Sequence, residues 1–232
     1  MTESFELFGI VHLWTILILI ILGILLIYPI KRFGNENQKI KLAIAIGIFM
    51  IVEELIDRGF HILILNEPVK DNLPLHLCGA SVILVAILLI NRNYKLFEIA
   101  YFWGLAGASI SIITPDVGFT FPHLLNITFF LSHALIVIGV LYMIFVFNYR
   151  PTKKSLIRSY IVTHIYALII GIINYFLDTN YLFLRHKPEA DTPMDFMGPW
   201  PWYIISLEVA LIIFWVILYL PYFIKDKLGS KQ

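Results

Sequence analysis

Seven apolar stretches separated by short polar connections leave this chain few ways to fold. They run near Phe8 to Ile30, Ile40 to Ile64, Leu75 to Ile90, Phe97 to Ile113, Leu124 to Phe147, Leu156 to Phe176 and Trp202 to Phe223. A helix rises about 1.5 Å per residue, so most of these runs can cross roughly 30 Å of hydrocarbon. The third and fourth are short and start or stop in the interface. Backbone groups in lipid must pair within the protein, and no run alternates as a strand does. The expected fold is therefore all-α, a polytopic bundle of seven transmembrane helices rather than a barrel.

Composition narrows the function classes. Of 232 residues, 59% are hydrophobic and only 14% charged, and the mean hydropathy is +0.84, far from the balance of a soluble domain. A formal charge of +1 lacks the basic excess of a nucleic-acid binder. One cysteine excludes an internal disulfide. Residues 1–232 read as a single integral-membrane domain. The leader Met1-Thr2-Glu3-Ser4-Phe5-Glu6 is acidic and no small-residue cleavage site follows, so the first run is not read as a cleavable signal.

Basic residues set an orientation. The first, third and fifth connections and the tail carry Lys31, Arg32, Lys39, Lys41, Arg92, Lys95, Arg150, Lys153, Lys154, Arg158, Lys225, Lys227 and Lys231. The other side has only Lys70, Arg185 and Lys187. The amino terminus is expected outside and the carboxyl terminus in the cytoplasm of a multi-pass cell-membrane protein.

Charges within spans are expensive, about 2.5 to 3.5 kcal/mol each at a helix centre on insertion scales, so their clustering calls for a reason. The second span holds Glu53, Glu54, Asp57, Arg58 and His61. Glu54, Asp57, Arg58 and His61 follow an i, i+3, i+4, i+7 pattern that puts them on one face, with Glu54 and Arg58 able to pair. Other polar groups are expected at the same outer end. They are His12, His76 and Cys78, Asp116, His123, Asn126 and His133, Asn174 and Asp178, and Glu208 about two turns into the last span. His164 is the main exception on the cytoplasmic side. A structural network that fixes helix register would account for any one of these residues, with Arg58 a charge-balancing strut. The gathering of so many titratable groups beside the lone thiol points further, to a functional site.

Cys78 lies in Leu73-Pro74-Leu75-His76-Leu77-Cys78-Gly79. Pro74 suits the first turn of a helix, which places Cys78 about one turn inside, where the positive end of the dipole favours a thiolate. A base is still needed, and His76, His123 and His133 are the candidates. His76 is two residues away, about 200° around a regular helix, and faces elsewhere unless the helix begins after it. His133, on another helix at similar depth, is the better placed. The same Cys and His residues could ligate zinc, but there is no H-E-x-x-H and no Cys pair, so neither metal nor cofactor is expected. Gly104-x-x-x-Ala108 and Gly107-x-x-x-Ser111 read as small-residue packing faces. The long connection from Asp178 to Pro201 reads equally as a lid or as a plain re-entry turn anchored by Trp200 and Trp202.

Several blocks carry a family resemblance. They are Leu73-Pro74-Leu75-His76-Leu77-Cys78, Tyr101-Phe102-Trp103-Gly104-Leu105-Ala106-Gly107, Thr114-Pro115-Asp116, Pro122-His123, Ser132-His133, Asn180-Tyr181-Leu182-Phe183-Leu184-Arg185 and Gly198-Pro199-Trp200-Pro201-Trp202-Tyr203. Together they resemble the signature blocks of the YwaF-type bacterial integral-membrane family, which is similar to eukaryotic transmembrane protein 164. The resemblance implies a membrane enzyme of six or seven helices and a cysteine-dependent acyl transfer onto a lysophospholipid, with Cys78 and His133 as the catalytic pair.

The expected function is acyl transfer or ester hydrolysis on a phospholipid or lysophospholipid through a thioester on Cys78, with His133 as base. Asp116, His123 or Glu208 would orient the imidazole, and His76 and Asn126 would serve as oxyanion donors. The alternatives are a transporter or receptor for a small solute or ion, with Glu53, Glu54, Asp57 and Arg58 as its coupling site, or a non-catalytic lipid-binding protein.

Overall fold

A computed structural model of the chain describes residues 5–188 and 193–229, so Met1 to Ser4, part of the long connection and Lys231 lie outside the described residues. Seven main helices follow one another: α1 (Ile10–Phe33), α2 (Glu36–Gly59, prolonged by a π-helical turn at Phe60–Ile64), α3 (Leu77–Asn91), α4 (Tyr94–Ile113, with a π-helical turn at Trp103–Ala108), α5 (Leu124–Phe145), α6 (Lys153–Leu177) and α7 (Trp202–Gly229). No β-strand occurs among the described residues. Local chemistry sets the helix starts. Asn35 and Gln38 form a reciprocal capping box on α2, and Thr152 and Ser155 form one on α6.

The protein is a membrane protein. Five helices are long and apolar enough to span: α1, α4, α5, α6 and α7 as far as Leu228. Side chains such as Ile10, Leu25, Leu168 and Phe176 stand exposed along them, a surface that only lipid can cover. The count differs from the seven equivalent spans expected from hydropathy. α2 matches α1 in length, at 24 residues, but concentrates carboxylates and Arg58 in its last two turns. α3 has only 15 residues, about 22 Å, short of the hydrocarbon thickness.

That short helix is the centre of the bundle. Val82, Val85, Ala86, Leu88 and Leu89 of α3 are buried, and glycines on both neighbours let it approach closely. A Cβ at Gly47 of α2 would lie 2.7 Å from the Ala86 carbonyl oxygen, and one at Gly139 of α5 would lie 2.4 Å from Val85. α3 is thereby gripped between α2 and α5, and its first residues face both. Gly104 packs closely against Ile136 and Val140 of α5, as its small-residue pattern suggests. Gly107 has nothing within 4 Å of its Cβ position, so that second pattern is not a packing face.

Candidate active site

α3 begins later than Pro74 suggests. His76 is its N-cap and Cys78 its second residue, so the thiol sits at the very start of the helix rather than one turn in. The first intrahelical bond runs from Ala80 N–H to the His76 carbonyl, which leaves the Leu77, Cys78 and Gly79 N–H groups ahead of it. The turn before the helix is irregular backbone, which a membrane protein tolerates only where protein covers it or it lines a cavity. Two tyrosines pair it. The Tyr181 hydroxyl accepts from Leu73 N–H at 2.8 Å and donates to the Lys70 carbonyl at 2.7 Å, and the Tyr166 hydroxyl donates to the Leu75 carbonyl at 2.9 Å. Tyr181 is in turn held by Asn174, which accepts from its N–H at 2.8 Å and donates to its carbonyl at 2.9 Å. The described start of the long connection thus buttresses the cysteine segment.

Beside Cys78 lies a cavity of about 290 Å³. α2 contributes Glu54, Asp57 and Arg58, and its π-helical turn contributes His61. Asp116 comes from the loop after α4, and α5 contributes Asn126 and His133. The polar face expected on α2 is thus the face that meets the cavity. Arg58 Nε donates to Glu54 Oε1 at 2.9 Å. His61 Nδ1 donates to Glu67 Oε2 at 2.9 Å, and Asn72 Nδ2 donates to the same oxygen at 3.0 Å. Burial pushes the Glu67 carboxyl up, but the hydrogen bonds from Asn72 and His61 outweigh it and hold the group below the usual carboxylate range.

Cys78 of α3 and His133 of α5 line the same cavity. His133 Nδ1 lies 2.7 Å from the Phe129 carbonyl oxygen, which can only accept, so Nδ1 carries the proton and Nε2 of the neutral ring is the acceptor. Nε2 is buried and no conventional hydrogen bond satisfies it. The orientation of the ring is fixed further by packing on Phe129, with centroids 4.3 Å apart. Ser111 Oγ stands 3.9 Å from the Cys78 sulfur. Nothing in the sequence pattern singled out Ser111, which belongs to the small-residue face that proved empty of packing at Gly107.

Three of the other expected site residues stand elsewhere. His76 packs its ring against Tyr181 and Phe183, at 5.0 and 5.2 Å. His123 caps α5, accepting from Leu125 N–H at 3.3 Å, and stacks on Phe119 at 4.1 Å. Glu208 does not line the cavity; it meets His164 of α6 at 3.3 Å. The reason is packing: α7 lies against α4 and α6, so a polar residue at the right depth still faces the wrong neighbour. His12 likewise acts as a staple, its Nε2 donating to the Ile112 carbonyl at 2.9 Å while Nδ1 accepts from Phe8 N–H at 3.1 Å. Asn126 does line the cavity, but its amide donates to the Phe119 carbonyl at 2.9 Å and holds the loop that carries Asp116. Among the described residues, no group of three or more His, Cys, Asp and Glu side chains converges as metal ligands would.

Glu53 is expected only in the coupling site of the transport alternative, not in the catalytic site. It is only 5% exposed, adjoins the cavity-facing Glu54, and both of its carboxyl oxygens are buried without a hydrogen-bond partner.

Residues 7–219 of the sequence match the model of the TMEM164 family. The chain belongs to the TMEM164 family. A relative in Treponema pallidum (strain Nichols), an uncharacterised protein, is 27% identical over 153 residues, which are 66% of this chain and 63% of that protein. No solved structure matches the chain. The matched region of the TMEM164 family includes both Cys78 and His133.

Proposed function

We propose that this TMEM164-family chain is a lipid-modifying enzyme that carries an acyl group as a thioester on Cys78. The observation that carries the reading is the His133 tautomer. With Nδ1 committed to the Phe129 carbonyl, the free Nε2 beside the thiol is the atom that general-base activation requires. The Cys78 S–H bond breaks as its proton passes to Nε2, and the thiolate adds to the ester carbonyl of a phospholipid. Collapse of the tetrahedral intermediate expels the alkoxide, which takes the proton back from Nε2, and leaves the acyl thioester. A lysophospholipid hydroxyl then gives its proton to Nε2 and attacks the thioester, which regenerates the thiol. Water in its place makes the same site a hydrolase. The unpaired N–H groups of Cys78 and Gly79 at the start of α3 are the donors suited to the oxyanion.

In this reading α2 and α3 complete a seven-span bundle forming one domain in the cell membrane, with the amino terminus outside and the cavity towards the outer face. Support comes from the asymmetric distribution of Lys and Arg along the chain. Asp57 and Asp116 on the wall face the headgroup region, and Arg58 is positioned by Glu54 rather than by substrate.

The test is lipid mass spectrometry on purified protein in liposomes given phospholipid and a labelled lysophospholipid, comparing native chain with Cys78→Ala and His133→Ala. Label entering diacyl lipid with the native chain alone establishes the transferase, and free fatty acid alone establishes the hydrolase. No Cys78-dependent change across a broad lipid panel would sink the enzyme reading and leave a lipid-binding or transport role.

A further inference from the structure

A second concavity, of about 440 Å³, runs between α1 and α5 and shares no lining residue with the cavity beside Cys78. Its wall on α1 extends from Ile16 to Lys31, about 22 Å along the helix, and Ala134, Ile138 and Phe145 of α5 stand across from it. Gly23 keeps the slot open where the two helices draw together: a Cβ there would lie 3.4 Å from Ile138. One side is unwalled. Ile20, Ile24 and Tyr28, a turn apart on the same face, are each more than half exposed, and on a spanning helix that exposure is to lipid.

The lining is apolar except at one end, where Tyr28 and Lys31 stand. Lys31 Nζ lies 5.4 Å from the centroid of the Phe145 ring, which holds the cation at the mouth of the slot. Among the described residues Lys31 has no acidic partner, since Glu36 of the same connection is taken by Lys39, and Arg32 adds a second cation in the same last turn. A helix of that length, about 10 Å across, displaces roughly 1,700 Å³, so the slot is too narrow to take in a helix of a second copy. A narrow apolar slot, open to lipid and cationic at one end, suits a hydrocarbon tail with an anionic head.

We propose that this groove binds an anionic glycerophospholipid as a resident ligand, with one acyl chain lying between α1 and α5 and the phosphate held by Lys31 and the Tyr28 hydroxyl. In the orientation proposed above, the headgroup lies in the cytoplasmic leaflet, whose surface is negative. The site is separate from the one that would take a lipid substrate at Cys78, and the inference does not rest on that reading.

The test supplies the full chain, in nanodiscs of phosphatidylcholine, with phosphatidylglycerol that carries a diazirine in one acyl chain; after irradiation the labelled peptides are mapped by mass spectrometry. Peptides of α1 and α5 that line the groove should carry the label. Unlabelled phosphatidylglycerol should displace it about fivefold more effectively than phosphatidylcholine, the worth of one lysine beside an anionic headgroup. Lys31→Gln should abolish that preference and Lys31→Arg should keep it. Gly23→Leu, which fills the slot, should lower labelling by either lipid, and Ile24→Trp takes its place if the leucine variant does not accumulate folded. Cys78→Ala should label the groove as the native chain does, which separates this site from any turnover at the thiol. Label spread evenly over the exposed faces of α6 and α7, or equal displacement by the two lipids in the native chain, overturns the proposal. So does an unlabelled groove in a chain that runs as a dimer, which would give the slot to a second copy.

Discussion

Two buried glutamates show how differently this bundle uses charge. Glu98 on α4 is 1% exposed and fully engaged: Ser155 Oγ donates to one carboxyl oxygen at 2.7 Å, Arg158 to the other, and Ser159 Oγ to its backbone carbonyl at 2.8 Å. Glu53 on α2 is nearly as buried and engaged by nothing that donates a hydrogen bond. The first cluster ties α4 to α6 and is complete as it stands. The second leaves three atoms unsatisfied, the two oxygens of Glu53 and Nε2 of His133, on either side of the contact between α2 and α5. Completed polar networks hold a fold together, whereas buried polar atoms without partners call for another explanation than the fold alone.

The sharpest way to break this comparison is to remove His133. His133→Ala should lower Cys78-dependent lipid turnover by about 100-fold or more, the scale of general-base catalysis, and leave thermal unfolding in detergent nearly unchanged. A large loss of stability with proportionate activity would make the imidazole structural, like the Glu98 cluster. The converse variant is Glu98→Ala, which removes the carboxylate acceptor of the buried Ser155 hydroxyl and releases Arg158. It should destabilise the chain by about 2 kcal/mol in an unfolding titration while the folded fraction alkylates Cys78 at the native rate.

Tyr181→Phe probes the scaffold between the two. It removes the donor to Lys70 and the acceptor for Leu73, so a loss of about 1 kcal/mol is expected, with faster hydrogen exchange at the Leu73 amide. Unchanged exchange there would mean that the cysteine segment is held by Tyr166 alone. The smallest effect belongs to Asp178, which caps α6 in a left-handed conformation and meets Arg185 at 2.6 Å. The hydrogen bond from Arg185, then its charge, holds the Asp178 carboxyl below the usual range. A depressed folded pKa means that its contribution is present at neutral pH, above the unfolded value of about 3.9, and is lost as pH falls through the folded value. Native chain and Asp178→Asn should therefore differ slightly in melting temperature at pH 7 and converge towards pH 2; a constant gap would locate the effect in the cap rather than the charge.

Part of the candidate site is legible in residue order. The spacing of Glu54, Asp57, Arg58 and His61 is a statement about one helix face, and a single helix obeys its own period whatever surrounds it. The Glu54–Arg58 pair is local in the same sense. The nearness of Cys78 and His133 follows from family resemblance and matched depth. Glu208, His123 and His76 show the limit of depth alone: each lies at the expected end of its element, yet each faces a partner that only packing selects, namely His164, Phe119 and Tyr181. Ser111 enters the sequence reading only through a small-residue pattern, and Glu53 only through the charged cluster on α2. One sits in a run of small residues and the other in a run of carboxylates.

What the sequence by itself determined is a helical membrane protein with one charged helix face and one thiol, because hydropathy and helical period act along the chain and need no neighbour. What only the tertiary structure decided is which helices that face and that thiol meet. The glycines at 47 and 139 set how closely α2 and α5 grip the short α3, and that approach brings Cys78 and His133 to one cavity. Rotation and spacing between helices are properties of their packed surfaces, and no single stretch of sequence contains them.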